Sequence, residues 1–253
     1  MQTYDLYKRG IAYWYLLLIP LIIIGFYKTY FSVFFAPTPS LVHIHFAFMM
    51  MWVAMLVIQP LLIRYKKLPL HRKIGKISFV VVPLLLITGY FMTGYSYDRA
   101  IKATTDWVNS GKGYVSPQEI LQIGADSVRI AIVYLIWLGL FYFLSIKNRR
   151  TTSIHARYMV AASLTMIGPT VDRIIGIYFV QNFFGVIPAE YFSYLLQDII
   201  LAALLIYDYR KGKPTRTLWI CLIIYMLGQF LYWFIMGKGF WESFVSFIMG
   251  PLH

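Results

Sequence analysis

Residues 41–63 read LVHIHFAFMMMWVAMLVIQPLLI. No Asp, Glu, Lys or Arg interrupts this run, and it does not alternate as a barrel strand does. A helix needs about 20 apolar residues to cross roughly 30 Å of hydrocarbon. Backbone groups in lipid must pair within the segment, so the run reads as a transmembrane helix. Six further stretches pass the same test, at about 11–35, 74–95, 127–146, 155–180, 191–208 and 217–236. The sequence therefore predicts an all-α integral membrane protein, a seven-helix bundle in a single membrane domain over residues 1–253. Residues 96–126 are expected to form an external loop. Residues 237–253 carry Phe240, Trp241, Phe244, Phe247 and Ile248 at helical spacing and are expected to lie as an interfacial helix.

Composition agrees. Of the 253 residues, 60% are hydrophobic and 13% charged, about half the charge of a soluble domain. Mean hydropathy is +0.66. The single cysteine, Cys221, cannot form an internal disulfide or a zinc site and reads as a small buried residue. The apolar stretch from Ile11 is too long for a signal-peptide core and lacks a cleavage site, so it reads as a retained span. Walker loop, nucleophile elbow, zinc-protease and dinucleotide motifs are absent.

The net charge of +13 is a topology signal. Sixteen of the 23 basic residues fall before span one or after spans two, four and six. Only Asp5 and Asp208 share that side, whereas the opposite side is balanced. The positive-inside bias places the N-terminus in the cytoplasm and the C-terminus outside. The cytoplasmic face would attract anionic lipid headgroups. No basic domain stands outside the bilayer, so nucleic acid is not an expected partner.

Local punctuation supports the limits. Ser116-Pro117-Gln118-Glu119 is a capping box with proline at the first helical position. It starts a helix ahead of span four. Lys211-Gly212-Lys213-Pro214 is a stop signal after span six.

Ionisable residues inside the membrane are functional candidates. Asp172 and Arg173 lie in the outer half of span five, and Asp198 lies beside Gln197 in span six. An Arg173–Asp198 bridge between neighbouring helices is within reach. Span two places His45, Met49, Trp52, Leu56 and Gln59 on one face. His43 points away from His45, so the two cannot chelate one ion. Met49, Met50 and Met51 diverge around the helix, which favours flexible packing over copper binding. His155 and Arg173 are 18 residues apart, five whole turns of a continuous helix. The polar membrane cluster of His45, Gln59, Asp172, Arg173, Gln197 and Asp198 is thus either a buried ion network that fixes helix register or a solute site open to the outside.

His71 and His155 stand at the cytoplasmic ends of spans three and five. Two neutral imidazoles at one depth could be axial ligands of a b-type haem, with Arg72 and Arg157 on its propionates. Alternatively they are interfacial histidines at lipid headgroups or helix ends.

The stretch His43-Ile44-His45 … Trp52 … Gln59-Pro60 … Arg64 … Leu70-His71-Arg72-Lys73-Ile74-Gly75-Lys76 resembles a bacterial multi-pass family catalogued as domain of unknown function 2306. So does His155-Ala156-Arg157-Tyr158-Met159 … Pro169 … Arg173. The resemblance covers about residues 41–176 and implies a bacterial cell (inner) membrane. The same histidines are faintly similar to transmembrane b-type cytochromes of the ascorbate-dependent class, which hold two bis-histidine haems. Span four here has no histidine, and His45 has no histidine partner, so one haem is the most this chain could hold. Three readings stand: a haem or redox protein, a small-solute binding or transport protein, and an assembly scaffold.

Overall fold

The computed structural model describes residues 10–179, 182–183, 187–188, 190–235 and 239–249. It is a helical bundle with six helical spans long and apolar enough to cross a membrane, among them Thr152–Tyr178, which is made of two consecutive helices, Thr152–Leu164 and Ile167–Tyr178. A multi-pass membrane protein follows from that count. The helices are α1 Ile11–Leu16, α2 Leu18–Phe26, α3 Ser40–Arg64, α4 Leu68–Gly75, α5 Ser78–Asn109, α6 Pro117–Lys147, α7 Thr152–Leu164, α8 Ile167–Tyr178, α9 Glu190–Arg210, α10 Arg216–Phe234 and α11 Gly239–Met249. A short antiparallel pair, β1 Asn182–Phe183 with β2 Ile187–Pro188, lies between α8 and α9. The basic residues Lys8, Arg9 and Lys238 lie outside the described residues.

The expected external loop at 96–126 is mostly helical. Helix α5 runs on to Asn109 and stops at Gly111, whose φ of 73° suits a residue without a Cβ. Helix α6 then begins at Pro117. The capping box forms: the Ser116 hydroxyl accepts from the Glu119 amide at 3.3 Å, and the Glu119 carboxylate accepts from the Ser116 amide at 2.8 Å. At the other stop signal, Gly212 takes a φ of 62° and the Lys213 amide donates to the Asp208 carbonyl.

The predicted span at 11–35 is broken into α1, α2 and a 3₁₀ turn, Phe31–Val33. It runs antiparallel to α3. The Arg64 guanidinium lies 4.8 Å from the Tyr13 ring centroid, and the Tyr30 hydroxyl lies 3.1 Å from His43 Nδ1. The α2 backbone crosses α8 closely: a Cβ on Gly25 would stand 2.7 Å from the Thr170 carbonyl oxygen.

Helix α6 is the hub, packed on α5, α7, α10 and α11. Two of its aromatic rings sit over glycines. Tyr134 covers Gly168 of α8, and Trp137 covers Gly228 of α10, so that a Cβ at either glycine would overlap the ring. Phe141 stacks on Tyr225 at 5.2 Å. These rings and Leu201, Leu218 and Val82 form a dry core, whose dispersion contacts hold helices that gain little from the hydrophobic effect in lipid.

Helix α11 does not lie free at the interface. Trp241, Val245 and Met249, one turn apart, are buried against Tyr97, Ala125 and Val128. The Trp241 indole donates to the Ala125 carbonyl at 2.9 Å, and the Tyr90 hydroxyl donates to the Ile248 carbonyl. The opposite face, with Phe240, Phe244 and Phe247, remains exposed.

Candidate functional site

Span five was expected as one helix, but it breaks between α7 and α8 at Thr165 and Met166. Pro169 in the first turn of α8 lacks the amide that would continue the ladder. The freed end of α7 is satisfied by neighbours: the Tyr225 hydroxyl donates to the Ala161 carbonyl at 2.8 Å, and the Gln197 amide donates to the Leu164 carbonyl at 3.2 Å. His155 and Arg173 therefore do not share one straight stripe.

The candidate residues separate into two groups at opposite ends of the bundle. At the His71 end, Gln59 of α3 holds α4. With its amide oriented to satisfy both neighbours, Gln59 donates to the His71 carbonyl at 3.1 Å and to His71 Nδ1, and accepts from the Gly75 amide at 2.9 Å. Gln59 thus belongs here and not with His45. His155 is fixed by Ser145 of α6: its Nδ1 is 3.0 Å from the Ser145 carbonyl and 2.8 Å from the hydroxyl. The two histidines are near enough for a charge on one to be felt by the other.

Arg157, expected to face a propionate, is occupied elsewhere. Its Nε and Nη2 each lie 2.7 Å from Asp208 Oδ2, and its Nη1 donates to the Ser153 carbonyl. Both side chains are buried. Arg72 is exposed on α4.

At the His45 end, the expected Arg173–Asp198 bridge does not form. Asp198 accepts from the Gln229 amide of α10 at 3.0 Å. The Arg173 guanidinium lies 4.5 Å from the Phe26 ring centroid and donates to the Pro169 carbonyl at 2.8 Å. That places it on the α2 side of α8, away from α10. Its charge reaches His45, whose Nδ1 is 3.1 Å from the Thr88 hydroxyl of α5. Asp172 turns the other way, toward α6 and α9. Its Oδ2 accepts from the Tyr134 hydroxyl at 3.4 Å, and Tyr134 lies 3.1 Å from the Ser193 hydroxyl. The other oxygen, Oδ1, is buried without a partner.

No known protein family, curated protein or solved structure matches this chain.

Sequence reasoning missed Arg129 as an intramembrane candidate. Arg129 is 5% exposed. Its Nη1 lies 2.9 Å from Asp126 Oδ1, its guanidinium lies 4.3 Å from the Tyr232 ring centroid, and its Nε has no partner. A signal existed: the capping box starts α6 at Pro117, which puts Arg129 about 18 Å along the helix. Tyr134 and Ser145 gave no such signal, because tyrosine and serine are ordinary in apolar spans. Among the described residues no group of three or more His, Cys, Asp or Glu could hold a metal ion.

Proposed function

We propose that the chain is a seven-crossing protein of a bacterial inner membrane that binds or moves a small polar solute through the His45, Asp172 and Arg173 cluster. The antiparallel course of α1 and α2 along α3 supports a seventh crossing beside the six long helices. The one-sided distribution of Lys and Arg supports a cytoplasmic N-terminus and an outward-facing cluster.

The unpartnered Asp172 oxygen carries the functional reading. A register-fixing network satisfies its own members, because an orphaned buried polar atom costs about 1–3 kcal/mol. A carboxylate left open beside a cation that turns away from it is suited to a ligand. His45 and Arg173 are partly exposed, and the Arg173 charge reaches His45.

Solute entry requires water at the cluster. In a Cys221→Ser background, His45→Cys and Asp172→Cys should react with a membrane-impermeant thiol reagent added outside. Ile87→Cys, on an exposed apolar position of α5, should not. If His45→Cys and Asp172→Cys stay unlabelled in folded protein, the cluster is a packing network and the proposal fails.

A single b-type haem between His71 and His155 is the second reading, favoured by their proximity. His155 fits: its Nδ1 bond to the Ser145 carbonyl leaves the Nε2 lone pair for iron. His71 fits poorly, since accepting from Gln59 at Nδ1 puts its proton on Nε2. The Asp208 pair also withholds Arg157 from a propionate. A b-type absorbance in purified protein, abolished by His155→Ala, would reverse the order of the two readings.

A further inference from the structure

Among the described residues several buried side-chain polar atoms, Gln197 Oε1 included, have no hydrogen-bond partner, and three of them lie around Tyr194. These three are Asp172 Oδ1 on α8, the Tyr194 hydroxyl on α9 and Arg129 Nε on α6. Each is enclosed, with Tyr194 2% and Arg129 5% exposed. An isolated orphan of this kind is normally bonded to something, because its desolvation has no offset.

The three belong to one neighbourhood. The Tyr194 ring lies 6.2 Å from Tyr134, which bonds Asp172, and 5.4 Å from Tyr232, which underlies Arg129. The Tyr194 hydroxyl is within electrostatic range of both Asp172 and Arg129. Trp137, at 5.9 Å from Tyr194, closes the side toward the dry core. Two donors and one acceptor are therefore left unpaired among the same aromatic rings, with a cation, itself paired to Asp126 through Nη1, on α6 and a carboxylate on α8.

Their chemistry specifies a complement. Arg129 Nε–H and the Tyr194 O–H donate, which suits a carboxylate. Asp172 Oδ1 accepts, which suits an ammonium group. Either half alone would leave one side unsatisfied. Building on the solute reading above, we propose that Arg129, Tyr194 and Asp172 form a site for a small zwitterion bearing a carboxylate and an ammonium group a few bonds apart, as in an α-amino acid. The aromatic walls add favourable contact for the ammonium.

The test uses the full chain purified in detergent, with unfolding temperature measured against glycine, alanine, acetate and methylammonium at constant ionic strength. Glycine or alanine should raise it saturably, and acetate and methylammonium should not. Tyr194→Phe keeps the ring packing and should weaken the apparent affinity roughly tenfold, the loss of one charge-assisted hydrogen bond. Arg129→Gln and Asp172→Asn should abolish the response. The proposal is overturned if neither zwitterion gives a saturable shift, if acetate or methylammonium alone matches them, or if Tyr194→Phe binds as wild type. External labelling of His45→Cys and Asp172→Cys without any zwitterion response would leave the solute reading standing and remove only the zwitterion. Loss of both would remove both.

Discussion

Arg157 of α7 and Asp208 of α9 form an ion pair in which two guanidinium nitrogens meet one carboxylate oxygen at 2.7 Å each. Their side chains are 4% and 0% exposed. The pair joins residues that are 51 positions apart in sequence, at the end of the bundle that also carries His71 and His155.

Removing one partner strands the other charge. Asp208→Asn or Arg157→Met should each cost about 3–5 kcal/mol, whereas the double variant Arg157→Met/Asp208→Leu should recover much of that. Thermal unfolding of the purified variants measures the difference. Equal losses in the single and double variants would show that the pair is not the source of the effect.

The seat of Tyr134 over Gly168 makes a steric prediction. Gly168→Val should push the ring aside, cost about 1–3 kcal/mol by overpacking, and pull the tyrosine hydroxyl from Asp172 and Ser193. Tyr134→Phe removes only the hydroxyl and should cost about 1 kcal/mol. Unfolding curves for the two variants should rank in that order.

Gln59 is bonded to both His71 and Gly75 of α4. Gln59→Leu should leave α3 and α5 intact and free α4 from the bundle. Hydrogen exchange at the Gly75 amide should accelerate by about tenfold or more, the loss of one net hydrogen bond. Unchanged protection would mean that α4 is held by its apolar contacts alone.

The Ser116 cap should behave as a local device. Ser116→Ala should cost about 1 kcal/mol, with faster exchange confined to the first turn of α6. Exchange along the rest of α6 should be unaltered, because its packing on α5 and α7 holds it.

Hydropathy alone made the six long helices legible, since the cost of unpaired backbone in lipid leaves few alternatives. The Ser116 cap was equally visible, being a contact between residues three apart. The break at Thr165 was not, because Pro169 falls after it, within a run that stays apolar throughout. Arg157 reads in the sequence as a propionate partner and Asp208 as one acid among the cytoplasmic-side bases, and only tertiary packing brings them together. The Arg173–Asp198 bridge failed for the same reason. Helical spacing gives the depth of a residue but not its azimuth in a packed bundle. Adjacent residues Asp172 and Arg173 point about 100° apart, and that angle sends them to different neighbours.

The close crossing of Gly25 and Thr170 bears on how the chain is assembled. Helix α2 docks against a helix made about 145 residues later, and the Tyr15 hydroxyl likewise waits for Ser163. During synthesis α1 and α2 have α3 as a partner but lack their second wall. The final docking of α2 therefore waits until α8 has been made. A truncation that ends before α8 would present Gly25 and Ile22 to lipid instead of protein, and cellular quality control would meet it as an unfinished bundle.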